Sequence, residues 1–162
     1  SNNISISNTP TFLYKEERVS STRIRDSLLE NNFLLASELL GRPYTFSGKV
    51  VGGQKLGRTI GVPTANLWIP KQKLPISGVY AVQCLLDEES HMGIANMGVR
   101  PTVNGTKPVL EVHLFDFNKD IYSKRLKVEF KHKIRNEKKF KDLNLLKSQI
   151  QKDISIAKGL LK

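Results

Sequence analysis

The amino-acid sequence predicts a mainly β protein, a six-stranded antiparallel barrel or sandwich with short helices before it and one helix after it. Two observations carry this. Between Tyr44 and Ile134 lie six short runs rich in β-branched and aromatic residues, parted by Gly, Pro and Asn, with no helical stretch to make parallel crossovers. Helical spacing of apolar residues occurs only ahead of this region, in residues 20–41, and behind it, after Asp142.

Taken in order, residues 1–19 pattern weakly: "ISIS" alternates as a strand does, and "NTPTFLYKEER" reads as a loop. "SSTRIRDSLLENNFLLASELLG" reads as two short helices broken at Asn31 and Asn32. Ser21 or Thr22 can cap the first, in which Ile24, Leu28 and Leu29 share a face, and Leu35, Leu39 and Leu40 form the stripe of the second. Gly41 can close it in a left-handed conformation and Pro43 bars continuation, which sets a boundary near Arg42. The strands follow at "YTFSGKVV", "ANLWI", "GVYAVQCLL", "HMGIANM", "VLEVHLF" and "RLKVEFKHKI". The last alternates Leu126, Val128, Phe130, His132 and Ile134 with Lys127, Glu129, Lys131 and Lys133, giving a half-buried strand with a basic exterior. Asp142 opens the final helix, whose stripe of Leu143, Leu146, Ile150, Ile154, Ala157 and Leu161 fits it to pack on the β structure.

A chain of 162 residues supports one core with a short appendage. No window approaches the roughly 18–20 apolar residues that span a bilayer, the N-terminus lacks a secretory pattern, and Cys84 has no second cysteine to pair with, so a reducing cytoplasm is the expected setting. A net charge of +11 suits an acidic partner, whether nucleic acid, an anionic membrane or a phosphorylated small molecule. No cluster of aromatic residues is interleaved among the bases, which gives a nucleic-acid groove little support.

The densest local signal is "GGQKLGRTIGVPTANLW". "GGQKLGRT" nearly satisfies the phosphate-loop pattern, but Arg58 stands where lysine is required, and Pro63 with β-prone residues follows where a helix should open. What remains is a flexible loop between strands whose backbone amides, with Lys55 and Arg58, can wrap a polyphosphate. Thr64 and Asn66, two residues apart on an extended segment, point the same way. Together they can share a small hard cation when a nucleotide supplies the negative charge; the alternative is that they only cap the turn. Phosphoryl transfer also needs an acceptor for the proton of the attacking hydroxyl. In "VLEVHLF", Glu111 lies on the face of Val109, His113 and Phe115, where apolar neighbours can raise its basicity. A solvated strand glutamate is the plainer alternative. His113 and His132 read as packing residues, and the three histidines show no metal-ligand spacing.

"GKVVGGQKLGRTIGVPTANL", "GVYAV", "NMGVRPTVNG", "LEVHLFDF" and "RNEKKFKDLNLLKSQIQKD" together resemble the riboflavin kinase module of bacterial bifunctional riboflavin kinase/FAD synthetases, in order from about Tyr44 to Leu161. "VSSTRIRDSLLENN" resembles the signature that closes the adenylyltransferase module of the same proteins. The resemblance implies a six-stranded antiparallel, Greek-key-like barrel with a C-terminal helix in residues 43–162. Residues 1–42 would be a remnant of the FMN adenylyltransferase module with linker helices.

It further implies Mg²⁺-assisted transfer of the γ-phosphoryl of ATP to the ribityl 5′-hydroxyl of riboflavin, giving FMN. By matching position, Glu111 would be the general base and Thr64 and Asn66 would bind magnesium and phosphate. Gly48, Gly52, Gly53, Lys55, Gly57, Arg58, Asn96 and Tyr122 would attend the nucleotide, with Gly98, Arg100, Pro101 and Thr102 shaping the wall. Residues 135–143 would border the flavin, Arg135, Glu137 and Leu143 among them. Two departures stand out: Ser123 follows "DIY" where the family usually has glycine, which puts the place of Tyr122 in question, and the HxGH motif of the nucleotidyltransferase core is absent. FAD synthesis is therefore not expected, the chain reads as a piece of a longer protein, and its expected partners are riboflavin, ATP and the adenylyltransferase module, with neither nucleic acid nor membrane. A monomer is expected. The competing reading is a nucleic-acid-binding basic β-barrel, which would show steeply salt-dependent binding to oligonucleotides.

Overall fold

The computed structural model describes residues 11–53, 56–70, 74–102 and 105–162. In chain order the elements are β1 (Leu13–Tyr14), β2 (Glu17–Arg18), α1 (Ser21–Leu29), α2 (Phe33–Leu40), β3 (Thr45–Val51), α3 (Leu56–Thr59), β4 (Ala65–Leu67), β5 (Gly78–Leu86), β6 (Glu89–Thr102), β7 (Gly105–Leu114), β8 (Arg125–Arg135) and α4 (Leu143–Leu160). All six runs identified in the sequence form strands, and these close into one antiparallel barrel in the order β3-β4-β7-β6-β5-β8. β5, β6 and β7 form a meander, while β4 pairs β7 across a longer connection, which makes the topology Greek-key-like. A closed barrel leaves no unpaired edge strand.

The barrel is filled by every second residue of its strands. Tyr80 and Val82 on β5, Leu110 and Val112 on β7, and Leu126, Val128 and Phe130 on β8 are all buried inside. The N-terminal helices belong to the same core: Leu28, Phe33 and Ala36 join that cluster, and the Phe33 ring stands 5.7 Å from Tyr80 and 6.2 Å from Phe130. α4 lies on the outside, where Ala157 packs with Ile150 and Ile154 on the outward faces of Ala81 and Ile94.

Several local expectations need correction. "ISIS" lies outside the described residues, and the loop foreseen after it contains a small hairpin of β1 and β2. α1 is capped by Ser20, whose hydroxyl accepts from the Arg23 amide at 3.2 Å, and Leu29 points to solvent because the turn of α1 that meets α2 presents Leu28 instead. Asn32 caps α2, and Gly41 ends it at φ 66°, left-handed as expected. Asp142 caps α4, but Leu143 is exposed and the buried stripe begins a turn later. In β8 the simple alternation ends after Phe130. Register shifts against β5 slip the phase, so His132 is exposed while Ile134 packs with α4.

Candidate active site

One row of cross-strand partners organises the outer face of the barrel. Asn66 on β4 pairs with Glu111 on β7, Glu111 with Asn96 on β6, Asn96 with Val79 on β5, and Val79 with Arg135 on β8. Each of these alternates with an inward neighbour: Leu67, Leu110, Val112 and Met97 fill the core, so Asn66, Glu111 and Asn96 face out. Side chains directly opposite in a ladder lie about 4.5–5.5 Å apart at Cβ, close enough to act on one ligand.

Of two cavities, the smaller adjoins this row at Glu111, Asn96, Val79 and Arg135, and Asn66 lines neither; Thr64, immediately before β4, lines both. The larger, of about 340 Å³, opens where β3, β4 and β7 meet the segment 117–122 and is walled by Val50, Arg58, Val112, Lys119 and Tyr122. The smaller, of about 170 Å³, lies between the outer face of the barrel and α4, with Gly57, Asn96, Glu111, His113, Arg135, Glu137 and Phe140 on its walls. The backbone ahead of Thr64 is anchored by a histidine. The His113 Nδ1 lies 2.8 Å from the Pro63 carbonyl, which only accepts, so that nitrogen carries the proton. The sequence presents His113 as a packing residue, and its place on the face of Glu111 is the one hint there of this contact.

The glycines before Thr64 serve close approach. A methyl group on Gly53 would overlap the Asn66 amide, and one on Gly57 would overlap the Val62 carbonyl and crowd the Thr64 hydroxyl. Gly52 has open space around it. The stretch after the glycines forms one helical turn, α3, where no helix was expected, and Arg58 on that turn reaches the larger cavity.

Glu111 differs from expectation in its surroundings. Its Oε1 accepts from Arg100 Nη2 at 2.8 Å, so its nearest partner is a guanidinium rather than an apolar side chain. Arg100 and Gly98 sit on the same face of β6 as Asn96, and Gly98 leaves room for the Glu137 carboxylate that lies over it. Arg135 is engaged by Asp153 of α4, a buried carboxylate that sequence reasoning missed. Its signal was a charged residue placed between Ile150 and Ile154 of an apolar stripe. Tyr122 lines the larger cavity even though Ser123 replaces glycine, because Ser123 itself adopts φ 66° and donates its amide to the Val50 carbonyl. Gly48 is buried against Phe46 and the Trp68 backbone, away from both cavities, and Leu143 lines neither. Lys55 and the side chains of Pro101 and Thr102 lie outside the described residues.

Among the described residues no group of His, Cys, Asp or Glu could hold a metal ion by itself. Thr64 and Asn66 offer a hydroxyl and an amide oxygen, neutral donors that fit a hard divalent cation whose charge is balanced by phosphate. No helix among the described residues is long and apolar enough to cross a membrane.

Comparison with known proteins adds a family. Residues 40–161 match the riboflavin kinase (flavokinase) family model. The chain is 52% identical over 150 residues to a bifunctional riboflavin kinase/FMN adenylyltransferase of Haemophilus influenzae, covering 92% of this chain and 49% of that protein. The chain thus spans about half the length of the curated relatives it matches. Among solved structures it resembles one named as a macrolide-efflux protein from Streptococcus pneumoniae, with TM-score 0.81 and 36% identity over 93% of this chain and 50% of the other. The riboflavin kinase of Trypanosoma brucei shares the fold, with TM-score 0.54 and 23% identity over 74% of this chain and 77% of that one. On the family match and the close bacterial relative, the chain belongs to the riboflavin kinase family.

Proposed function

We propose that the chain phosphorylates the ribityl 5′-hydroxyl of riboflavin with ATP, giving FMN and ADP, and that residues 43–162 form the kinase domain behind an adenylyltransferase remnant in residues 1–42. The observation that carries this is the position of Thr64 between two cavities, one bearing Arg58 and Lys119 and the other bearing Glu111. ATP would occupy the larger, where cations face its phosphates and Tyr122 its base. Riboflavin would enter the smaller with its ribityl chain. At about 170 Å³ that cavity is below the usual range for small-molecule sites, roughly 300–1,000 Å³, so the ring system must rest partly outside it or displace the segment 136–142.

The transfer needs alignment and one proton acceptor. As the ribityl oxygen bonds to the γ-phosphorus and the bond to the β-phosphate bridging oxygen breaks, Glu111 takes the hydroxyl proton on Oε2, since Oε1 is engaged by Arg100. Thr64 and Asn66 would hold the magnesium that accompanies ATP, which when bound screens the phosphate charge. Asn96, beside Glu111 in the ladder, would orient the substrate hydroxyl. These residues would act as a cytoplasmic monomer on small molecules and, taken by themselves without an HxGH motif, would not make FAD.

Incubating the folded chain with riboflavin, ATP and magnesium, and separating riboflavin, FMN and FAD by chromatography, tests this. FMN alone, formed only when magnesium is present, is the expected result. A folded chain that yields no FMN would overturn the kinase reading, and FAD formed from FMN and ATP would overturn the exclusion of adenylyl transfer.

A further inference from the structure

The smaller cavity has a charged wall that the reaction above does not use. Arg135 ends the row of site residues, and its guanidinium is gripped by Asp153: Nε donates to Oδ1 at 3.1 Å and Oδ2 at 3.0 Å, and Nη2 donates to Oδ2 at 2.8 Å. Gln149, one turn earlier on α4, adds a bond from Nε2 to Oδ1 at 2.9 Å. Asp153 is 1% exposed. The remaining Arg135 nitrogen, Nη1, donates to the Asn136 carbonyl at 3.0 Å, and the Phe140 ring centre lies 5.8 Å from the guanidinium carbon.

Such a pair is a poor device for holding a helix in place. Desolvating two charges is costly, and well-packed apolar residues of similar volume often serve stability as well or better. α4 is already seated by Ile150, Ile154 and Ala157. What apolar packing cannot supply is the fixed, planar orientation that a fork of parallel N–H bonds imposes on a guanidinium.

We propose that Asp153 is a positioning residue for the flavin side of the site. It sets the Arg135 guanidinium, and through the Asn136 carbonyl the entry of the segment 136–142, in the geometry that shapes the cavity wall. This rests on the assignment of the smaller cavity to riboflavin.

Riboflavin binding, followed by quenching of flavin fluorescence, and steady-state kinetics test it on the whole chain. Asp153→Asn is expected to weaken riboflavin binding and raise the riboflavin KM by about tenfold, the scale of a charge-assisted hydrogen bond, while the ATP KM stays within about twofold. Because Asp153 acts through Arg135, Asp153→Leu in an Arg135→Met background should cost no further riboflavin affinity, while thermal stability recovers toward that of the parent. This second arm holds even if Asp153→Asn folds poorly. Unchanged riboflavin affinity in Asp153→Asn, or losses from the two sites that simply add, would overturn the inference while leaving the kinase reading intact. A parent chain that does not bind riboflavin would instead overturn the cavity assignment, and this inference with it.

Discussion

Asn66 and Glu111 are direct register partners on β4 and β7, and both face out of the barrel beside the threonine shared by two cavities. The carboxylate is therefore placed within one ladder step of the residue proposed to attend the metal. Glu111→Gln keeps the shape and the bond-forming oxygen but cannot take a proton. It is expected to lower kcat by about 10²–10⁴-fold, the usual worth of a general base, with the melting temperature nearly unchanged. Kinetics and a thermal melt on the same preparation check this, and full activity would remove Glu111 from the mechanism.

The glycines make a graded prediction, since their surroundings differ. Gly52→Ala should behave as the parent, because nothing lies near its missing Cβ. Gly53→Ala should displace the Asn66 amide, raising the KM for magnesium-ATP with little loss of stability, because only a side chain has to move. Gly57→Ala meets the Val62 carbonyl, and overpacking against backbone costs roughly 1–3 kcal/mol, so a lower denaturation midpoint is expected along with lower activity. Equal effects at the three positions in parallel melts and kinetics would contradict the packing account.

How much of this was legible in the sequence depends on range. Strict period-two alternation in "VLEVHLF" separates Leu110, Val112 and Leu114 from Glu111 on opposite faces, and the structure shows the first set to be the inner one; six such runs allow a barrel or a sandwich, and strand pairing decides for the barrel. β8 kept the rule only to Phe130, because two register shifts against β5 change the facing of the residues between them, and such irregularities leave no mark in composition. Arg100 and Glu111 are 11 residues apart and meet because β6 and β7 are paired. Arg135 and Asp153 are 18 apart, and their pairing depends on where α4 comes to rest. The two cavities exist only once the barrel closes, so Thr64 could be read as a ligand but not as the residue between two sites.

Phe33 ties the N-terminal helices to the barrel. It is 6% exposed, with ring contacts to Tyr44, Tyr80 and Phe130. Phe33→Ala is expected to cost about 3–5 kcal/mol, as truncation of a buried aromatic does. Urea denaturation measures it, and a loss below about 1 kcal/mol would mean that the helices only rest on the barrel.

Ser123 holds a backbone conformation at φ 66° that favours glycine. An L side chain in this region costs about 1–2 kcal/mol, and the greater freedom of glycine in the unfolded chain offsets part of that. Ser123→Gly should therefore stabilise the protein by roughly 0.5 kcal/mol while leaving Tyr122 on the wall of the larger cavity and the ATP KM unaltered. A lower melting temperature would show that the serine contributes a contact of its own.

The barrel interior also sets an alkaline limit. Burial pushes the Cys84 thiol from 9.0 up to about 12, and burial is likewise the main cause that lifts the Tyr80 hydroxyl from 10.0 to about 12. Both groups are neutral when protonated, so above its ordinary pKa the unfolded chain has lost a proton that the folded chain retains. Unfolding then releases protons, and rising pH favours it. The stability these groups contribute is full below about pH 9 and is lost toward pH 12, with a limiting slope near 1.4 kcal/mol per pH unit for each. The test is a difference between the parent and a variant that lacks the thiol. Cys84→Val keeps the buried volume nearly constant and removes the group that begins to act first. Urea denaturation at intervals between about pH 8 and 11 should show the parent losing stability from pH 9, while the variant holds until Tyr80 begins to act near pH 10. Parallel curves for the two proteins would mean that the thiol titrates in the folded barrel much as it does in the unfolded chain, and that water reaches the interior at Cys84.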